Sequence, residues 1–118
     1  MAGQRRPTLL ITLVDAFLVE GRGYFRDLLA AVGAADRNGV RLAAHGLKSS
    51  RLNMGAARLA QISLQVEQAA MTAESASLSA AMAAVGAALT DSEQALAGLR
   101  AEIVGLQAMP AALAAGAR

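Results

Sequence analysis

The residues that could do chemistry are a single histidine, His45, and a single lysine, Lys48, in a chain whose other cations are ten arginines. Their spacing of three positions places both side chains on one face of a helix. A neutral imidazole is a competent nucleophile toward an activated phosphoryl group, and a neighbouring ammonium can offset the phosphate charge in the transition state. An isolated histidine is also common on solvated helix faces, so the pair alone leaves both interpretations open.

The segment around His45 predicts an amphipathic helix that turns the imidazole toward solvent. On a wheel of about 100° per residue, the face opposite His45 is mostly apolar and is expected to enter the core; it holds Val40, Ala43, Leu47, Ser50 and Met54. The face of His45 itself holds Asn38, Arg41, Leu42, Lys48, Ser49 and Leu52. Leu42 and Leu52 are large apolar residues on a side that should be wet, which is typical of a patch that docks a partner.

The composition indicates that helices do this positioning. The 118 residues suffice for one domain, alanine is abundant, and only two prolines and no cysteine occur. Residues that favour strands are scarce, so the sequence predicts an all-α fold. The formal net charge is +2 with scattered arginines, which does not favour nucleic acid as a partner. No apolar run is long enough to span a bilayer, so we expect no membrane insertion.

Metal binding and acid–base catalysis are not indicated. The carboxylates of the second half of the chain stand at no spacing typical of either function, and one histidine cannot build a typical zinc site. We therefore expect no metal, and we expect these carboxylates to lie on solvated helix faces. They include Glu67, Glu74, Asp91 and Glu93.

Turn residues divide the first half of the chain. Residues 1–6 are expected to form a disordered tail, and Pro7 suits the first turn of a helix. Gly21 and Gly23 either bend this helix or split it, which leaves an extra short N-terminal helix as an alternative. Gly33 is expected to end it, and Asp36 is expected to cap a second helix over residues 37–54.

The second half predicts two more helices, over residues 56–71 and from Ser75 or Ser77 to about residue 108, with a flexible tail at 109–118. The last helix carries apolar residues at alternating steps of four and three: Leu78, Met82, Val85, Leu89, Leu96, Leu99, Ile103 and Leu106, with only Ser92 polar. Short turns between four amphipathic helices predict an antiparallel up-down four-helix bundle over residues 7–108. A seam of this kind is more often core than dimer interface, so we expect a monomer.

The residues around His45 also resemble a known signature. They read Ala43-Ala44-His45-Gly46-Leu47-Lys48-Ser49-Ser50, followed by Gly55-Ala56 and Leu59. This run is similar to that of histidine-containing phosphotransfer (HPt) domains, in which alanine precedes the histidine, and a small residue, leucine, lysine and another small residue follow. Asp36 stands where that family commonly starts this helix, and Val66-Glu67 resembles the hydrophobic–glutamate pair near the end of its third helix.

The resemblance implies a role for each matching residue. His45 would be the phosphoacceptor, through Nε2, and Lys48 would be the cation next to the phosphate. Gly46 and Ser49 would keep the approach to the imidazole clear, although the family usually has glycine where Ser49 stands. Gly55 would shape the turn into the third helix. The docking surface would be formed by Arg41, Leu42, Gly46 and Leu52.

The same resemblance implies a phosphocarrier without catalytic turnover of its own. The chain would accept a phosphoryl group from a receiver-domain aspartate and pass it to another receiver, with receiver domains and a hybrid sensor histidine kinase as partners in the cytoplasm. It would need no cofactor, since Mg²⁺ would belong to the receiver.

Two other functions stay open. One is a helical interaction module that does not use the histidine. The other is a histidine-kinase dimerisation domain, although such domains usually have an acidic residue directly after the histidine, where Gly46 stands, and a proline further along, whereas no proline occurs between Pro7 and Pro110.

Overall fold

The computed structural model describes residues 2–52 and 57–108, and all regular structure in these ranges is helical. The helices are α1 (Ala2–Gly33), α2 (Arg37–Leu52), α3 (Ala57–Ala69) and α4 (Ser75–Ala108). Each helix packs against the next along the chain, and α1 packs against α4, so the four close into a bundle. The all-α, up-down four-helix prediction is confirmed. Within the described ranges, no helix has the length and apolar character needed to cross a membrane.

Helix α1 differs from its predicted form at its beginning and in its middle. It begins at Ala2, so the prediction of a disordered tail over 1–6 and of a helix start at Pro7 is wrong for residues 2–6. Alanine, glutamine and arginine are good helix formers, although Pro7 in the second turn cannot donate to the carbonyl of Gly3. The helix also continues through Gly21 and Gly23 without a break, and the extra short N-terminal helix does not form. The predicted tail at 109–118 lies outside the described residues.

The turn between α1 and α2 uses an alanine where a glycine is usual. The Asp36 amide donates to the Ala31 carbonyl at 2.9 Å, and the Ala35 amide donates to the Val32 carbonyl at 3.2 Å, which together form a Schellman motif. Ala35 has a φ of 55°, so it occupies the left-handed position predicted for Gly33, which instead lies in the last turn of α1. The prediction of Asp36 as N-cap is confirmed, since its Oδ1 accepts from the Gly39 amide at 3.0 Å.

The bundle core is built from one apolar stripe of each helix. Its fully buried large side chains include Leu28, Val40, Leu47, Leu59, Val85 and Leu89. Small residues also belong to this core, among them Ala44 in α2 and Ala70 directly after α3. Ser63 is also buried, and its Oγ has no hydrogen-bond partner among the described residues.

An arginine at the start of α2 fixes the far end of α3. One guanidinium nitrogen of Arg37, Nη1, donates to the carbonyls of Ala70 at 3.0 Å and Ala73 at 2.6 Å. These carbonyls follow the end of α3, where backbone acceptors lack partners within the helix. The contact therefore fastens the α3–α4 turn to α2 and sets the register between α2 and α3.

Helices α1 and α4 are at least twice as long as the other two. They form an antiparallel pair that extends past α2 and α3. They contain 32 and 34 residues, against 16 in α2 and 13 in α3. Two ion pairs connect the long helices. Arg22 binds Glu93 through Nε at 2.7 Å and Nη2 at 2.6 Å, and Arg100 binds Asp15 through Nε at 2.7 Å and Nη2 at 3.3 Å.

The Asp15–Arg100 pair should make the free energy of unfolding depend on pH. The hydrogen bond from Arg100 holds the pKa of Asp15 below its usual value. A carboxyl group whose pKa is lower in the folded than in the unfolded chain contributes stability above the unfolded pKa, and loses it as the pH falls through the folded pKa. We expect a double-mutant cycle of Asp15→Asn and Arg100→Gln in urea unfolding to show coupling at about pH 7 that vanishes toward about pH 2. Equal coupling at both pH values would contradict this role.

Candidate functional site

His45 lies on the outer face of α2, as the helical wheel predicts. Its side chain is 54% exposed, whereas Val40, Ala43 and Leu47 on the opposite face are buried. The side chains of Ser50 and Leu52, and all of Met54 and Gly55, lie outside the described part of the chain. The amphipathic character of α2 therefore presents the imidazole to solvent on a rigid scaffold.

A glutamate of α3, Glu67, contacts both the imidazole of His45 and the ammonium of Lys48. The Nδ1 atom of His45 lies 2.8 Å from Oε1 of Glu67, and Nζ of Lys48 lies 3.1 Å from Oε2. The glutamate side chain is only 18% exposed. The expectation that Glu67 lies on a solvated face is therefore wrong. Spacing within one helix cannot reveal a contact between α2 and α3, and the only signal was the resemblance of Val66-Glu67 to the family pair.

The environment of Glu67 keeps its carboxyl group ionised. Burial raises the pKa of Glu67, but the hydrogen bond with His45 and the Lys48 ammonium more than offset burial, so that the pKa lies below its usual value. An ionised carboxylate only accepts hydrogen bonds, so Nδ1 of His45 must carry the donated proton. In the neutral ring the other nitrogen, Nε2, then has the free lone pair. No described residue forms a hydrogen bond with Nε2.

Lys48 and Ser49 lie on the same face of α2 as His45, as the helical wheel predicts. The Lys48 side chain is 22% exposed and its ammonium is held by the same carboxylate that holds the imidazole. Ser49 is exposed on the face of His45, and its small side chain leaves this side of the ring open. One carboxylate therefore contacts both the imidazole of His45 and the ammonium of Lys48.

Gly46 is required by α1 as well as by any partner. A Cβ atom at this position would lie 2.6 Å from Cδ1 and 2.7 Å from Cζ of Tyr24, closer than non-bonded carbon atoms approach. The ring of Tyr24 therefore packs directly on the backbone of α2, one residue after His45. The resemblance assigned Gly46 to the docking surface, and the structure adds this contact, which the sequence did not indicate.

Of the other predicted docking residues, Leu42 lines an open groove between α1 and α2, and the side chain of Leu52 lies outside the described part of the chain. Leu42 is 55% exposed and lines this groove together with Tyr24 and Asp27. The groove has a volume of about 510 Å³. Arg41 is exposed, and its guanidinium donates to Oδ1 of Asn38 at 2.9 Å. The groove is thus bordered by an apolar side chain, a tyrosine and a carboxylate, and Leu42 stands one helical turn before His45.

The fold and the site together define a class of protein. A bundle of four helices that presents an imidazole on the outer face of its second helix, with a carboxylate on Nδ1 and a lysine one turn away, has the arrangement of a histidine phosphotransfer domain. The Hpt domain family model matches residues 12–109, and the chain belongs to this family. The family indicates histidine phosphotransfer in phosphorelays, carried out by phosphocarrier modules. No curated protein and no solved structure matches the chain.

The contact of Tyr24 with Gly46 predicts an unusual response to alanine. Replacing an exposed helical glycine with alanine normally stabilises a protein by about 0.5–1 kcal/mol. Gly46→Ala should instead destabilise the chain by about 1–3 kcal/mol, because the new methyl group overlaps the ring.

The matched control is Gly98→Ala in α4, where an added Cβ meets no heavy atom within 4 Å. It should stabilise the chain in the same urea-unfolding assay. In a Tyr24→Ala background, Gly46→Ala should lose its penalty. A gain in stability from Gly46→Ala in the wild-type chain would show that the ring does not pack there.

Proposed function

We propose that His45 is the phosphoacceptor of this chain, and that it takes a phosphoryl group from the aspartyl phosphate of one receiver domain and passes it to the aspartate of another. The observation that carries the proposal is the hydrogen bond between Nδ1 and Glu67 on an otherwise exposed imidazole. It leaves Nε2 with the free lone pair on a side chain that is 54% exposed, where an acyl phosphate on another protein can reach it.

The transfer step balances without any further reactant. The Nε2 lone pair attacks phosphorus while the bond from phosphorus to the aspartyl oxygen breaks, and the aspartate leaves as a carboxylate. The ring then carries the phosphoryl group on Nε2 and the original proton on Nδ1. Attack by a second receiver's carboxylate on phosphorus reverses the same bonds and restores the neutral imidazole.

Glu67 acts on this step as a positioning residue. The imidazole ring gains positive charge as the bond from nitrogen to phosphorus forms, and the ionised carboxylate 2.8 Å from Nδ1 stabilises that charge. It also fixes the ring orientation, in the way that a carboxylate orients a catalytic histidine. We assign Lys48 to the phosphoryl oxygens, because its flexible ammonium can move from Glu67 to a phosphate on Nε2 while remaining near both.

The proposed partners follow from the surface around His45. A receiver domain would cover the imidazole and contact Leu42, Arg41 and the α1–α2 groove, with Leu52 at the other end of the same face. Ser49 would lie at the edge of the transferred group. The receiver would bring its own Mg²⁺, so this chain would need no cofactor. Receivers and the hybrid sensor kinases that supply them act in the cytoplasm, which is where we place this chain.

The direct test is transfer from a phosphorylated receiver to the purified chain. We expect label on the wild-type chain that is acid-labile and base-stable, as for a phosphohistidine, and no label on His45→Gln. The substitution keeps a polar side chain of similar size on an exposed helix face, so the helix content in circular dichroism should not change. Equal labelling of both chains would show that His45 is not the acceptor.

The role of Glu67 predicts a slower transfer without loss of the fold. Glu67→Gln keeps the shape of the side chain but removes the charge, and losses of about 10–100-fold are typical for a residue that orients a functional histidine. Glu20→Gln, which removes an exposed glutamate of α1, is the matched control and should transfer at the wild-type rate.

A second measurement separates positioning from a general structural effect. The ¹⁵N chemical shifts of the imidazole should show the proton on Nδ1 in the wild-type chain and a mixture of tautomers in Glu67→Gln. A wild-type rate together with an unchanged tautomer would remove the role proposed for Glu67.

A further inference from the structure

The hydroxyl of Ser63 in α3 is buried close to the proposed site and is not used by the fold. The residue is 0% exposed, and its Oγ has no hydrogen-bond partner among the described residues. A buried polar group without a partner gives up its hydrogen bonds to water and receives none in exchange. Alanine would fill nearly the same volume with a higher helix propensity. The hydroxyl is therefore unfavourable in the resting structure, which points to a use in another state of the chain.

A second buried oxygen in the described part of the chain also lacks an aligned hydrogen bond, and it belongs to Glu67. This atom, Oε2, has the Lys48 ammonium at 3.1 Å, which is a contact between opposite charges. The other carboxylate oxygen, Oε1, contacts Nδ1 of His45 at 2.8 Å. Each oxygen of an ionised carboxylate can accept roughly two hydrogen bonds. Oε2 can therefore accept from a donor other than the ammonium.

The two unused groups lie on one face of α3. Ser63 and Glu67 are four positions apart, so their side chains are neighbours on the helix surface. Helical side chains lean toward the N-terminus, which brings the Glu67 carboxylate back over the turn that contains Ser63. The packing of α2 agrees with this direction. Arg37 contacts the carbonyl of Ala70, and His45 follows Arg37 by eight positions on an antiparallel helix, so His45 is about level with Ser63.

We propose that Ser63 is a positioning residue for phosphoryl transfer, and that its hydroxyl donates to Oε2 of Glu67 when the Lys48 ammonium moves to the phosphoryl oxygens. This role rests on the proposed function, because a phosphoryl group on Nε2 is what draws the ammonium away. Without a new partner, Oε2 would then be a buried charged atom with no donor, which is unfavourable. A rotation of the serine side chain supplies the donor, and the proton stays on Oγ throughout.

The exchange of partners favours transfer in both directions. The hydroxyl is idle before transfer and engaged during it, so it stabilises the transition state more than the ground state. The carboxylate of Glu67 keeps its place on Nδ1 while the imidazole carries positive charge. When a second receiver removes the phosphoryl group, the Lys48 ammonium returns to Oε2 and the hydroxyl of Ser63 is released.

Transfer rates from a phosphorylated receiver test this role. Ser63→Ala removes the hydroxyl at nearly constant volume and should slow transfer about five- to tenfold, as expected for a hydrogen bond to a charged group. In a Lys48→Ala background no ammonium leaves the carboxylate, so the hydroxyl is engaged before and during transfer. Ser63→Ala should then change the rate by less than about twofold. The matched control is Ser92→Ala in α4, whose hydroxyl donates to the Leu89 carbonyl at 2.8 Å; it should transfer at the wild-type rate.

Urea unfolding tests the same hydrogen bond without any phosphoryl transfer. In the wild-type chain, Ser63→Ala should leave the midpoint unchanged or raise it, because it removes an idle buried hydroxyl. In the Lys48→Ala background the same substitution should lower the midpoint, because the hydroxyl has become the partner of Oε2. A serine that only fills space would shift the midpoint equally in both backgrounds.

The two measurements distinguish the role of Ser63 from that of His45. A wild-type chain that takes no label from the receiver refutes the acceptor role of His45, and with it any role of Ser63 in transfer. If the wild-type chain is labelled, an unchanged rate in Ser63→Ala, equal slowing with and without Lys48, or equal midpoint shifts in both backgrounds overturns the role of Ser63 alone. Slowing that requires Lys48, together with a lower midpoint only in its absence, supports it.

Discussion

The carboxylate of Glu67 connects α3 to α2 at the proposed phosphotransfer site. It contacts Nδ1 of His45 and Nζ of Lys48, so the geometry of the exposed face of α2 depends on how α3 lies against α2. A shift of α3 by one residue would turn this side chain by about 100° and separate it from both groups. Much of the bundle is consequently an arrangement that keeps the register of α2 and α3 fixed.

Two contacts of different kinds restrain α2, one toward α3 and one toward α1. Arg37 donates to the carbonyls after the end of α3, which restrains one end of the helix pair through directed hydrogen bonds. On the opposite side of α2, Gly46 lets the ring of Tyr24 approach the backbone, which restrains the rotation of α2 through packing. Helix α2 is therefore fixed from two directions while its third face stays open to solvent. An exposed imidazole on a rigid element is what the proposed transfer between two proteins needs, since positioning supplies much of the rate.

The parts of this arrangement that the sequence predicts are those set within one helix. The exposure of His45, the burial of Val40 and Leu47, and the cap at Asp36 follow from local spacing and side-chain type. The position of Glu67 does not, because it depends on the rotation of α3 relative to α2. Ala35 was missed for another reason. A glycine two residues earlier was the better candidate for a left-handed φ, but the hydrogen bonds of the turn form only with Ala35 at that position. The start of α1 was missed because proline is most common in the first turn of a helix, whereas α1 begins at Ala2, five residues before Pro7.

The unequal lengths of the helices give the bundle two regions that are packed differently. Where all four helices run together, the heptad pattern of α4 is satisfied by α1 and α3, and residues such as Leu78 and Val85 are buried. Past the start of α3 the same pattern continues without a change of step, yet only the positions that face α1, among them Leu96 and Ile103, remain buried. A helix that keeps its core pattern after its partners have ended retains a surface with the composition of a core. Ion pairs between α1 and α4 hold this surface in place without covering it, since Arg22–Glu93 and Asp15–Arg100 lie along the seam. The two long helices thus stay packed against each other through their own contacts beyond the ends of α2 and α3.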